Sequence, residues 1–117
     1  MTVSADLFRK TLGLFPTGVT IATTSTKSQD IGVTISSFTS VSLHPPQILF
    51  CLSKTSKAMP LFETTPYFAI NILTHSQSTL SDLFAQRTPL NWEKLKIQRH
   101  PQTGCLLLSE ALGHILC

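Results

Sequence analysis

A chain of 117 residues, 42% hydrophobic and 13% charged, is long enough for one core-forming domain and too apolar for the disordered class. Nine Lys and Arg against six Asp and Glu leave a net charge of +3; with no Lys/Arg clustering of the kind a nucleic-acid surface needs, a small anionic ligand suits the chain better. Cys51, Cys105 and Cys117 form no CxxC pair and the opening MTVSADLFRK holds no apolar signal stretch, which fits a reducing, cytoplasmic setting, and no apolar run approaches the roughly 20 residues of a membrane helix.

Residues 4–15, SADLFRKTLGLF, carry Leu7, Phe8, Leu12 and Phe15 on one helical stripe, with Ser4 as the expected N-cap and Asp6 in the first turn, where the helix dipole favours negative charge. Pro16 and Gly18 end that helix. The period then changes to alternation. GVTIATT (18–24) and IGVTISSF (31–38), separated by the polar STKSQD (25–30), predict an antiparallel hairpin. QILFCLS (47–53) and YFAINIL (67–73) are near-continuous apolar runs, expected as strands buried on both faces. STLSDLFAQR (78–87) returns to helical spacing through Leu80, Leu83 and Phe84, and PLNWEKLKIQRHPQTG (89–104) reads as loop with a short helix around Trp92. CLLLSEALGHILC predicts a last strand or hairpin, which would be left at the chain end with no partner to close a barrel. The order fits an antiparallel barrel or sandwich with helices at its ends.

The segment GVTISSFTSVSLHPP (32–46) is unusually rich in hydroxyls. If it stays extended, Thr34, Ser36, Phe38, Ser40 and Ser42 share one face and Val33, Ile35, Val41 and Leu43 the other. Buried hydroxyls need partners, so such a face belongs either in solvent or against a flat ligand with a polar rim. The stretch SKTSKAM (53–59) offers Ser53, Lys54, Thr55, Ser56 and Lys57 after an apolar run, which reads either as a solvated turn or as a phosphate cradle. No Walker loop, GxSxG elbow or HExxH motif is present, so nucleotide hydrolysis and hydrolytic catalysis have no visible machinery. His114 and Cys117, three apart in a strand, point to opposite faces, which counts against a zinc site with Cys105. Cys51, between Phe50 and Leu52, reads as a buried, inert thiol.

FRKTLGLFPTGVTIATT, GVTISSFTSVSLHPPQILFCLSKTSK, FAINIL and DLFA, in that order, resemble the flavin reductase-like family, which includes the reductase components of two-component monooxygenases. The resemblance runs over essentially the whole chain and implies a mainly β fold with helices, the antiparallel flavin-binding split β-barrel. It makes residues 1–117 the N-terminal two-thirds of the usual domain. Family members continue past the equivalent of Cys117 through further strands and a Gly-Asp-His stretch on the nicotinamide side, so the barrel is expected to be incomplete at its C-terminus. The implied activity is NAD(P)H-dependent reduction of FMN or FAD, with reduced flavin passed to a partner monooxygenase; the alternative is a truncated flavin-binding protein without turnover. By position, Thr34, Ser36, Ser37 and Phe38 would line the isoalloxazine and the start of the ribityl chain. Ser53, Lys54, Ser56 and Lys57 would hold the ribityl and phosphate, with Phe84 at the pocket edge. No protein residue is assigned a catalytic role, no metal, nucleic acid or membrane is implied, and a homodimer is expected. The Pro45–Pro46 pair would turn the chain between two strands bordering the site, since proline cannot donate to a ladder. Asn71 is expected to be structural. Ser36 stands where many relatives have an amide, and His44 where they are often acidic.

Overall fold

The computed structural model describes residues 2–117. Its centre is an antiparallel four-stranded sheet in the order β2-β1-β5-β8, built from β1 (Thr20–Ser25), β2 (Asp30–Ile35), β5 (Ala69–Ile72) and β8 (Gly113–Leu116). The expected hairpin is there: Thr20 pairs with Ile35 and Ser25 with Asp30. Thr26 closes its turn, because its Oγ1 accepts from Gln29 N at 3.0 Å. Two separate two-stranded ribbons flank the sheet: β3 (Thr39–Leu43) with β4 (Pro46–Leu49), and β6 (Ile97–Arg99) with β7 (Leu106–Leu108). The helices are α1 (Ala5–Leu12), α2 (Met59–Thr64) and α3 (Ser78–Ala85), with short 3-10 turns at His75–Gln77 and Trp92–Lys94. The described strands do not close a barrel.

Alternation along β1 sends Ile21 and Ala22 to opposite faces, and each seeds a core. Ile21 packs with Phe84 and Leu108 under α3 and the β6–β7 ribbon. Ala22 packs with Ile35 and Ile70, backed by Phe50, Phe62 and Phe68, whose rings meet edge to face at 5.5–6.2 Å. Because β1 is central, its threonines are buried and must find partners. Thr23 Oγ1 donates to Leu106 O at 2.6 Å, and Thr24 Oγ1 donates to Tyr67 O at 2.8 Å. Asn71, fully buried, donates to Ile21 O and accepts from Leu108 N. It therefore fastens β7 onto the sheet, the structural role expected of it. At the hairpin tip Arg99 grips Asp30 with both guanidinium arms at 3.2 and 2.9 Å. Burial works against the Asp30 charge, but the Arg99 and Ser25 hydrogen bonds and the Arg99 charge outweigh it, and its pKa falls below the ordinary carboxylate value.

Several expectations need correcting. The extended ribbon across 31–43 is broken: β2 stops at Ile35, and Ser36–Phe38 cross from the central sheet to the β3–β4 ribbon. Val41 and Leu43 lie exposed, apart from Val33 and Ile35, which pack in the core. The run 47–53 is not a doubly buried strand, since β4 ends at Leu49 with only Ile48 half-buried; its apolar residues Phe50 and Leu52 serve the aromatic cluster instead. Cys51 is exposed. The last strand stands as expected at an open edge: β8 pairs antiparallel with β5 from Ala69↔Leu116 to Ile72↔Gly113, and among the described residues no strand pairs with its other side. The N-terminal helix forms where expected, capped by Ser4, yet Leu7, Phe8 and Leu12 are each more than half exposed.

Candidate functional site: the junction of residues 36–38 and 51–57

The two segments singled out by their hydroxyls and lysines come together. Ser37 Oγ accepts from Cys51 N at 2.9 Å and donates to Cys51 O at 3.3 Å. This holds the β2–β3 connection against the chain leaving β4, two residues before Ser53. The Pro45–Pro46 corner makes the meeting geometrically available, because it folds β4 back along β3. Phe38 anchors the connection from below, packed into the Ala22–Ile35–Ile70 core, while Ser36 and Ser37 are exposed above it.

Residues 53–57 form a compact turn. Ser56 N donates to Ser53 O at 2.9 Å, Ser53 Oγ lies 2.9 Å from Thr55 Oγ1, and Ser56 Oγ accepts from Ala58 N at 3.2 Å. These bonds fix the backbone and leave Lys54 and Lys57 exposed. Among the described residues neither lysine takes part in an ion pair; the pairs are Asp6–Arg9, Glu110–Lys96 and Asp30–Arg99. Two uncommitted cations on a hydroxyl-lined turn can take a dianionic phosphate, and the exposed Ser36 beside it can serve the polar rim of a flat group. No carboxylate or histidine occurs in 36–38 or 51–57, so the site offers binding and orientation and no protein acid or base.

Two of the expected residues are not brought there. Thr34 points to the other face of the sheet, where its Oγ1 donates to Ser81 O at 2.6 Å and ties β2 to α3. Phe84 is only 3% exposed. Its ring stacks edge-on to Trp92 at 5.4 Å and lies over Gly32, so close that a Cβ on that glycine would fall 2.4 Å from Cε1. Both are explained by alternation: Gly32 and Thr34 share the α3 face, and Val33 and Ile35 share the face toward the β3–β4 ribbon. Sequence reasoning also missed Cys51, whose contribution is its main chain and carries no residue-type signal.

The junction is an open surface. Two clefts lie elsewhere, one of about 400 Å³ bordered by Thr17, Leu73, Thr74, Ser81 and Asp82, the other of about 200 Å³ beside Gln77, Lys94 and Lys96. Neither contains a residue of the junction. The junction is the better candidate because it combines two unpaired cations with exposed hydroxyls from two chain segments on a hydrogen-bonded frame. Elsewhere, burial and then the nearby Cys105 push the Cys117 thiol above its ordinary pKa, which disfavours a reactive thiolate. Among the described residues no three His, Cys, Asp or Glu side chains are grouped to hold a metal, and no helix is long and apolar enough to cross a membrane.

Known proteins resemble the chain in sequence and in fold. A family model described as "Flavin reductase like domain" matches residues 12–117. The chain is 42% identical over 90 residues to the FMN reductase (NADH) SmoA of Agrobacterium fabrum, covering 74% of this chain and 52% of that relative. It is 36% identical over 110 residues to HsaB of Rhodococcus jostii, the reductase subunit of a flavin-dependent monooxygenase, covering 94% of this chain and 56% of that protein. The structure superimposes on the Streptomyces globisporus NADH:FAD oxidoreductase SgcE6, solved with NAD and FAD fragments, with a TM-score of 0.90 at 30% identity, covering 100% of this chain and 72% of that one. The chain spans about half the length of the curated relatives it matches.

Proposed function

The chain belongs to the flavin reductase-like family, and on that premise we propose that it acts in NAD(P)H-dependent reduction of FMN or FAD, supplying reduced flavin to a separate monooxygenase. The observation that carries the reading is the Ser37–Cys51 junction, which sets the hydroxyl-bearing connection beside the lysine-bearing turn. SmoA as an FMN reductase (NADH) and HsaB as the reductase subunit of a flavin-dependent monooxygenase support the choice of reaction and of partner.

The residue types at the junction suit a flavin mononucleotide, with cations for its phosphate and hydroxyls for its polar rim. Lys54 and Lys57 neutralise the phosphate, and the hydroxyls of Ser53 and Ser56 border it. Ser36 meets the polar edge of the ring, and Phe38, held in the core, gives the seat a rigid floor. Thr34 and Phe84 act indirectly, by fixing α3 against β2. When bound, the flavin supplies the hydride acceptor, and the protein's part is binding, orientation and electrostatics.

The helix α1 presents Leu7, Phe8 and Leu12 with 56–59% exposure. A patch of that kind on a small protein marks an interaction surface. Its partner is a second copy of the chain, giving a homodimer. Three free cysteines suit a cytoplasmic location.

Anaerobic mixing with FMN and NADH tests the reading. Catalytic loss of the flavin's visible absorbance is expected. Absence of FMN binding, or binding with no loss of absorbance at any NADH concentration, contradicts it.

A further inference from the structure

The β3–β4 ladder pairs Thr39 with Leu49 and Ser40 with Ile48. Carried two residues further in the same register, Ser37 falls opposite Cys51. In a regular antiparallel ladder every second opposed pair exchanges both main-chain N–H···O bonds, and with no backbone bond between Phe38 and Phe50 Ser37 and Cys51 stand where such an exchange would fall. They do not make it. The Ser37 side chain takes both bonds to Cys51, and among the described residues the main-chain N–H and C=O of Ser37 bond to no other backbone group. A serine hydroxyl has one proton and two lone pairs. With the proton directed at Cys51 O, the side chain has no donor left for a ligand's carbonyl edge, whereas the main-chain N–H of Ser37 is free to face one.

From this rung we propose that Ser37 is a positioning residue rather than a flavin ligand. Its side chain substitutes for its own main chain in the ladder, holds the 53–57 turn in register with residues 36–38, and leaves its N–H as the donor that this position offers the ring. The inference rests on the flavin-binding reading above and assigns work within it. Its consequence falls unevenly on ligands: one that spans both halves of the seat depends on the rung, and one that uses only the ring half does not.

FMN and riboflavin, which differ by the phosphate, separate the cases when titrated by fluorescence quenching into the folded full chain. Ser37→Ala removes the rung and keeps the main-chain N–H. It is expected to weaken FMN by about fivefold, the loss of roughly one net hydrogen bond, and to change riboflavin affinity by less than twofold. Ser37→Thr keeps the hydroxyl, and both affinities should stay within about twofold of the parent chain. Equal losses for both ligands in Ser37→Ala would place the hydroxyl on the ring and overturn the proposal; so would no loss for either. Should Ser37→Ala fail to fold by circular dichroism, Ser37→Thr decides, since a several-fold loss of riboflavin in that variant would also put the side chain against the ring. If the parent chain binds neither ligand, the flavin reading itself fails and the assignment of Ser37 fails with it, an outcome separate from a change in the ratio.

Discussion

Gly32→Ala is a sharp test of how the α3 face is assembled. A methyl group built on Gly32 lies 2.4 Å from Phe84 Cε1, 2.6 Å from Cδ1 and 3.2 Å from Trp92 Cη2, against a favourable carbon–carbon separation of about 3.5–4.0 Å. The ring must therefore move by about 1 Å. It has little room, because Phe84 is buried and wedged edge-on to Trp92, and the helix that carries it is tied to β2 through Thr34 and Ser81. Forcing volume into a packed core costs about 1–3 kcal/mol. The alanine recovers about 0.4–1 kcal/mol by stiffening the unfolded chain. A net destabilisation of about 1–2 kcal/mol follows, equivalent to a melting temperature lower by about 4–10 °C for a domain of this size. Urea denaturation at constant m reads the stability, and an FMN titration of the same variant reads the site. Because the account puts Phe84 in the core and not in the flavin seat, affinity should change by less than about twofold while stability falls. Unchanged stability, or a variant of full stability that has lost FMN, would refute the reasoning.

Asn71→Ala leaves Ile21 O and Leu108 N buried without their partner, and the cost expected from urea denaturation is about 2–4 kcal/mol. Asp30 has its pKa lowered by Arg99 and Ser25 despite its burial. Its contribution to stability is therefore full above the ordinary value of 3.8 and is lost as the pH falls through the lower, folded-state value. Asp30→Asn should flatten that acid limb in denaturant melts taken across this range, and an unchanged limb would count against the Arg99 clasp. Lys57→Ala should weaken FMN by roughly threefold to tenfold at low salt, leave riboflavin nearly unaffected, and lose its effect as salt rises, since the lysine is exposed and its field is screened. A loss independent of salt would argue that Lys57 acts by packing.

Much of the frame was legible because local and global patterns agree. The β-branched alternation on both sides of STKSQD specifies the hairpin, and Leu80, Leu83 and Phe84 specify α3. The break at Ser36–Phe38 was hidden because alternation of hydroxyl and apolar residues runs straight through it. Only a tertiary bond from Ser37 to Cys51, 14 residues away, shows where the ladder changes sheets. The run 47–53 misled because Phe50 and Leu52 are apolar on behalf of the aromatic cluster with Phe62 and Phe68 and not on behalf of a ladder. The short helix α2, with Pro60 in its first turn, has too few residues to show a period. At the candidate site, hydroxyls and lysines could be found from residue types, and their meeting could not, since it depends on the register carried past Thr39↔Leu49. Phe84 looked like a pocket edge for want of any sequence sign that Gly32 lies beneath its ring.

The central claim is that residues 36–38 and the 53–57 turn together seat the flavin. Backbone amide chemical shifts followed through an FMN titration test it directly. The account predicts the largest shifts at Ser36, Ser37, Lys54 and Lys57. Shifts concentrated at Thr17, Ser81 and Asp82, around the larger cleft, with those four amides unmoved, would contradict it.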